Sequence, residues 1–384
     1  MAQLKELVDI YLGVTHTPEY VENGVPFLSV KDISGGKICF DDCKYISEEE
    51  YNGLSQGAKP QVGDMLFCRV GTIGKPIIIP EGTPLFGSFV SLGYLRNRNA
   101  NKCNLEYLRY WMYSKAFERQ VYANVKGASQ VNLNTGWLSK FEVALPDIVV
   151  QEDIVKKLDK CASVINKRKQ ELEELDNLIK SRFVEMFGTL KDNNGRFDIV
   201  TIEEVCSLIK DGTHQTPEYT EDVVNGFKFL SSKDVMSQKI DWTDIRYIPV
   251  ELHEKLYSTI QPKRNDILMS KNGVNYGVAA VNDTDEVFDI YVSLALLRPM
   301  EVINPVYFRC AINNPDTKRQ FDSSIKGIGV PNLHLGEIKK TKIILPPLSM
   351  QNEFENFVIQ VDKLKFFTNR QIEITYKGVN RFGN

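Results

Sequence analysis

Four histidines, at positions 16, 214, 253 and 334, and seven scattered cysteines are the residues best suited to metal or nucleophile chemistry in this chain. The cysteines form no CxxC pair. No acidic or cysteine partner stands at ligand spacing from His16 or His214, so no metal site is expected. Gly71-Thr72-Ile73-Gly74-Lys75 has half the form of a phosphate-cradling loop. It lacks the four-residue gap between glycines, and Pro76 stands where a hydroxyl is needed. Asn304-Pro305-Val306-Tyr307 has part of the Asn-Pro-Pro-aromatic motif with which amino-methyltransferases stack a base. Its second proline is missing and no glycine-rich cofactor loop lies upstream, so it reads as a helix start. Glu337-Ile338-Lys339 has the form of a nuclease Glu-x-Lys without a convincing aspartate partner, and no Gly-x-Ser-x-Gly elbow exists. The chain reads as non-catalytic and without a cofactor of its own.

What does recur is a set of short motifs. Thr15-His16-Thr17-Pro18-Glu19-Tyr20 returns as Thr213-His214-Gln215-Thr216-Pro217-Glu218-Tyr219, and Phe27-Leu28-Ser29-Val30-Lys31-Asp32 as Phe229-Leu230-Ser231-Ser232-Lys233-Asp234. Gly63-Asp64-Met65-Leu66 is matched by Asn265-Asp266-Ile267-Leu268, Lys126-Gly127 by Lys326-Gly327, Asn132-Leu133 by Asn332-Leu333, and Leu145-Pro146 by Leu345-Pro346. The offset stays between 198 and 202 throughout, which marks a duplication of a domain-sized unit rather than a solenoid. The second copy has residues 197–210 ahead of Gly212 whereas the first has residues 1–12 ahead of Gly13, so a shorter leading strand is expected in the first.

Each copy ends in proline, a glutamine (Gln151 or Gln351) and a helical pattern. Ile154, Leu158, Cys161, Ile165, Arg168, Leu172, Leu175, Ile179, Arg182 and Met186 alternate steps of four and three, a heptad seam over about 151–187. The second seam begins with Met350, Phe354, Phe357, Val361 and Leu364 and then loses its pattern. Two such helices at matched positions most economically pair with each other, although swapping between two chains would use the same seams. The repeats themselves read as mixed and β-rich, with strands over 65–68, 76–79 and 89–95 and helical character over 104–122.

The 384 residues are 42% hydrophobic and 25% charged, enough for more than one core, and no apolar run approaches a membrane span. Odd, unpatterned cysteines and the lack of a signal-like start lead us to expect a cytoplasmic protein with reduced thiols. The net charge of −3 excludes a globally basic nucleic-acid binder but not a local basic face. Residues 96–140 carry eight basic groups against two acidic, and 298–342 eight against four, while the rest of each copy is acidic. A basic face able to neutralise phosphates is therefore expected in both copies; a solvated helix with surplus lysines is the blander alternative.

The repeated Thr-Pro-Glu-Tyr, Phe-Leu-Ser-x-Lys-Asp, Asp-Met-Leu/Asp-Ile-Leu and Leu-Pro…Gln segments, each copy followed by a long helix, resemble the specificity subunit of type I restriction-modification systems. The resemblance implies an α+β chain of two homologous target recognition domains, separated by long helices that pair as an antiparallel coiled coil with pseudo-twofold symmetry. The expected division is a first recognition domain over 1–149, a central helix over 150–190, a second domain over 191–348 and a C-terminal helix over 349–384. Each domain would read one half of a bipartite, non-palindromic double-stranded DNA site, the halves spaced by roughly a helical turn. Two methyltransferase subunits, which bind S-adenosylmethionine and act on adenine, would dock on the helices, with ATP-driven restriction subunits completing the complex.

Candidate DNA contacts follow from residue type and repetition. Thr15, His16, Lys31, Arg69, Lys126, Ser129, Gln130 and Asn132 stand in the first copy, and Thr213, His214, Lys233, Lys271, Lys326 and Asn332 in the second. Asn and Gln can read adenine and Arg and Lys guanine. Residues matched between copies are expected to hold the fold or phosphates, and unmatched ones to read bases. For the two histidines a structural, hydrogen-bonded role is the alternative. For the chain as a whole the alternatives are a coiled-coil adaptor that binds protein, and an unrecognised DNA-modifying enzyme.

Overall fold

The computed structural model describes residues 1–71, 73–124, 132–325 and 331–382, with side chains to residue 379. The chain divides into two compact units, one of Met1–Lys169 with Asn369–Asn384 and the other Gln170–Thr368.

In the first unit the backbone of the repeat is a four-stranded antiparallel sheet in the order Val8–Leu12, Leu92–Asn97, Met65–Cys68, Gly74–Ile78. Both faces of this sheet are covered, which is why Met65-Leu66-Phe67-Cys68 is apolar without alternation. Met65 and Phe67 pack with Leu95, Leu108, Trp111 and Phe141 on one face; Leu66 and Cys68 pack with Leu28, Ile33, Phe86 and Tyr94 on the other. A smaller sheet, Tyr20–Val21, Lys44–Ile46, Val25–Leu28 and Gly87–Ser88, closes the second face, its last pair parallel.

The second unit repeats this plan. Its central sheet runs Cys206–Asp211, Leu294–Pro299, Ile267–Ser270, Ala279–Val281. Ile267 and Met269 point to one core, Leu268 to the other. The leading strand differs in length as expected: Ala2–Gln3 pairs over two residues with Glu142–Val143, whereas Asp198–Thr201 pairs over four with Lys342–Leu345.

The helical stretch 104–122 is two helices, Leu105–Met112 and Lys115–Asn124, because Ser114 interrupts it and caps the second through Phe117 N–H. Asn104 and Asn304 cap their helices with two backbone bonds each, and Pro305 takes the first turn, so the Asn-Pro motif is a helix start.

The two long helices are Ile148–Phe187 and Leu348–Phe382. Within the second unit they run antiparallel: Arg182 meets Glu353, Asp176 meets Lys365, and Glu171 meets Thr368. The seam of the first helix is the protected side, and its end is widened by Phe183 and Phe187, which stack with Tyr307 and Phe354 off the heptad positions. The second seam differs from expectation. Leu364 is 55% exposed, and the protected side continues through Val358, Val361, Lys365, Thr368, Ile372, Thr375 and Val379. The heptad is intact; its polar members hide it from a hydrophobicity pattern.

Candidate nucleic-acid interface

Four matched segments meet in each repeat. In the first, Gly13-Val14 crosses the backbone of 88–90: Val14 N–H donates to Ser88 O at 2.9 Å and Val90 N–H to Val14 O at 2.8 Å. The approach is so close that a Cβ on Gly13 would overlap the Ser88 and Phe89 carbonyls, and one on Gly212 would overlap those of Ile290 and Tyr291. Glycine here is a steric requirement. Thr15 and His16 follow at once. His16 projects into solvent, 3.8 Å from Glu50, and His214 likewise, 3.4 Å from Asp211.

Arg69 sits at the centre, 9% exposed. Its guanidinium donates to Leu133 O at 3.1 Å, Val90 O at 2.8 Å and Asn132 Oδ1 at 3.4 Å, while Leu133 N–H donates to Arg69 O. Burial with only neutral acceptors pulls its pKa below the ordinary value. Lys271 occupies the same place in the second repeat, 5% exposed, with its ammonium 2.6 Å from Asp211 and its carbonyl accepting from Leu333 N–H. Both side chains are thus turned inward; the Arg69 side chain ties the Asn132 segment to the sheet, whereas in the second repeat the Lys271 backbone holds the Asn332 segment and its side chain holds Asp211. The Oγ atoms of Ser88 and Ser91 and Oδ1 of Asn272 are buried at these junctions without partners among the described residues. Lys126, Ser129, Gln130 and Lys326 lie outside the described residues, on the segments that lead into Asn132 and Asn332.

Lys31 and Lys233 are more exposed but engaged. Lys31 donates to Asp42 O, and Lys233 to Asp244 O and to its carboxylate, which raises the pKa of Lys233. Their motif is a capping box: Asp32 accepts from Ser29 N–H and Asp234 from Ser231 N–H, each closing a short 3-10 turn.

Other matched residues prove to be framework that residue type alone did not reveal. Asp64 forms a bidentate pair with Arg96, and Asp266 with Arg298, and each hydrogen bond raises the arginine's pKa. Gln151 is fully buried; it accepts from Asn104 N–H and donates to Lys102 O and Pro146 O. Gln351 repeats this with Asn304, Val302 and Pro346.

Four of the eight basic groups in each expected basic face are paired with a carboxylate. Arg96, Arg98, Arg109 and Lys115 pair with Asp64, Asp9, Glu106 and Glu118. Arg298, Lys318, Arg319 and Lys339 pair with Asp266, Asp322, Asp316 and Glu203. Several of these acids come from outside the basic windows, so folding supplies counter-charges that a count along the chain omits. Among the described residues no cluster of three or more metal-ligating side chains occurs, and no helix is long and apolar enough to cross a membrane. Burial pushes the thiols of Cys68 and Cys103 up to about 11 and that of Cys206 to about 12, which leaves none of the three poised as a nucleophile. His253 is a structural histidine of the second repeat, stacked on Phe227 and 2.6 Å from buried Asp289.

The curated relatives are specificity subunits. The chain is 22% identical over 196 residues to the type I restriction enzyme MjaVIII specificity subunit of Methanocaldococcus jannaschii, covering 47% of this chain and 43% of that protein. It is 21% identical over 264 residues to the EcoBI specificity subunit of Escherichia coli, covering 62% and 55%. It therefore spans about half the length of these relatives. Its fold is that of a chain from a type I restriction-modification system solved to describe complex assembly and conformational transition. That likeness has a TM-score of 0.58 at 16% identity and covers all of this chain and 94% of the other. The model of the type I restriction modification DNA specificity domain matches twice, over residues 2–175 and 194–376. The chain belongs to that family and carries two copies of its domain.

Proposed function

We propose that this chain is the non-catalytic DNA-recognition subunit of a type I restriction-modification complex. Residues 1–149 and 191–348 each read one half of a bipartite site, and 150–190 with 349–384 form the helical spacer. The observation that carries this reading is the pair of junctions around Arg69 and Lys271. They are the same framework built twice, and the segments attached to it differ in sequence between the copies, as Ala128-Ser129-Gln130 does from Ile328-Gly329-Val330. Thr15, His16 and Asn132, and Thr213, His214 and Asn332, lie at the outer side of these junctions. Lys126, Ser129, Gln130 and Lys326 complete the proposed contact set. Lys31, Arg69, Lys233 and Lys271 act in it by positioning loops.

Two methyltransferase subunits, and restriction subunits with them, are the proposed protein partners, in the cytoplasm. Exposed Leu178, Leu364, Phe366, Phe367, Ile374 and Tyr376 on the long helices offer them apolar surface. The pairing of half the basic groups in each window favours a second reading, a protein-binding adaptor.

The test is to express the chain with its methyltransferase partner in a methylation-free host and map modified adenines. One bipartite, non-palindromic motif that disappears without this chain supports the reading. A folded, partner-bound chain that yields no motif, and no salt-dependent DNA affinity, favours the adaptor.

A further inference from the structure

Gly71-Thr72-Ile73-Gly74-Lys75, the half-formed phosphate loop of the first repeat, has no part in the proposed contact set. Its lysine stands at one end of the central sheet, where the ladder is irregular. Met65 pairs with Ile78 and Leu66 with Ile77, but Cys68 pairs with Gly74, so Lys75 and Pro76 together face Phe67. That is a β-bulge, a device by which a sheet re-aims a side chain. The second repeat keeps a regular ladder at this place. Ile267, Leu268 and Met269 pair in step with Val281, Ala280 and Ala279, and Ser270 N–H donates to Val278 O. Lys75 stands three residues before Ile78, and Val278 three before Val281. The first repeat thus carries a bulged lysine where the second carries a valine in register.

The bulge holds Lys75 in a conformation that a side chain disfavours. Its φ is +51°, in the left-handed region, although it bears a Cβ and precedes a proline, where extended backbone is the rule. Gly74 and Gly277, one residue earlier in the two copies, take φ of +84° and +85° without that penalty. A strained lysine where glycine would be at ease marks a functional constraint. Nothing inside the chain uses the charge. Lys75 is half-buried, and among the described residues its ammonium has no ion-pair or hydrogen-bond partner. Arg69 gives the contrast, because its guanidinium is consumed by three internal acceptors.

The position adjoins the candidate interface. Val70 bridges to Asn132, and Leu133 N–H donates to Arg69 O. The strand Gly74–Ile78 returns from this junction, and Lys75 is its second residue. Its ammonium is close enough to Cys68 to oppose the rise that burial imposes on that thiol. Cys68 packs with Leu28, Val30 and Ile33, so Lys75 shares a face of the sheet with the turn that carries Lys31.

We infer that Lys75 is a specificity-determining residue of the first repeat, donating to the O6 and N7 acceptors of a guanine in its half-site. An ammonium only donates, which suits guanine's adjacent acceptors and rejects the amino groups of adenine and cytosine. The assignment rests on the DNA-recognition reading and deepens it. Lys75 lies where two copies of one framework must differ, and Val278 cannot make the same choice. A phosphate contact would need neither a lysine peculiar to one copy nor a bulge to aim it.

Methylation mapping with the methyltransferase partner in a methylation-free host tests this on K75M, K75G and K75R. K75M should relax one G·C pair of one half-site, with discrimination there falling about tenfold, and leave the other half-site unchanged. K75G should relax the same pair and raise the urea unfolding midpoint, because glycine takes a positive φ freely. K75R, which still presents donors to guanine, should keep that pair. A lysine that merely supports the fold would give the reverse pattern, an unchanged motif with a lowered midpoint in K75M and K75G. An unchanged motif with a salt slope smaller by ~0.9 would make Lys75 a phosphate contact and overturn the assignment. If the wild-type chain yields a motif that K75M and K75G both keep, the assignment alone falls. If the wild type yields none, the recognition reading falls and takes the assignment with it.

Discussion

At the scale of single residues, the division between inward and outward side chains makes distinct forecasts. Arg69 spends its guanidinium on three internal acceptors. R69M should therefore lower stability by about 1–3 kcal/mol and weaken DNA binding by loosening the Asn132 segment. It should leave the slope of log affinity against log salt unchanged, because that slope shrinks by ~0.9 for each phosphate that the protein ceases to neutralise. A slope change of that size, measured by fluorescence anisotropy across salt concentrations, would show that Arg69 reaches a phosphate. His16 and His214 make the opposite forecast. Both project into solvent and are matched between the copies, so H16A and H214A should leave the unfolding midpoint unaltered and weaken DNA affinity without changing the methylated sequence. A base preference relaxed at one half-site by either variant would show that the histidine reads a base. The buried thiols give a simpler test. Cys68 and Cys103 are fully buried and their thiols pushed up by burial, so these two should stay unmodified by a disulfide reagent at pH 8 until the chain is unfolded.

Among the elements, the joint between repeat and helix is the most consequential. Gln351 makes three hydrogen bonds while fully buried, so Q351L should strand two carbonyls and an amide and cost about 1–3 kcal/mol, read by urea unfolding. Q151L should cost the same, because its partners are equivalent. The repeat, the first heptad seam, the Asn-Pro helix start and the strand at 65–68 are legible from spacing and turn residues, since each expresses a local periodicity. The second seam is not, because Lys365, Thr368 and Thr375 take heptad positions that their polarity conceals; Lys365 is held there by Asp176 from another part of the chain. The role of Phe183 and Phe187 is likewise hidden, since nothing along the sequence announces that Tyr307 and Phe354 will meet them. The basic windows mislead for the same reason: Asp9, Asp64 and Glu203 are remote in sequence and adjacent in space.

For the whole molecule, two homologous but non-identical repeats imply independent halves. Replacing residues 191–348 with the corresponding repeat of a relative should alter one half of the methylated motif and preserve the other. Methylation mapping reads both at once, and simultaneous change of both halves would refute modular reading. The framework explains why such exchange is tolerable. The Asp–Arg pairs, the capping boxes and the glycine crossings are satisfied within one repeat, so none depends on what the other repeat contains.

The buried glutamines extend this to the history of the gene. Gln151 and Gln351 meet chemically identical surroundings: the carbonyl of the proline that closes the preceding strand, a backbone carbonyl ahead of the capped helix, and the amide of its capping asparagine. A recombination crossover placed between Leu-Pro and Gln in either copy would deliver each amide to acceptors it already fits. On the proposed reading, exchange at this segment would deal out new pairs of half-sites without asking the protein to learn a new fold.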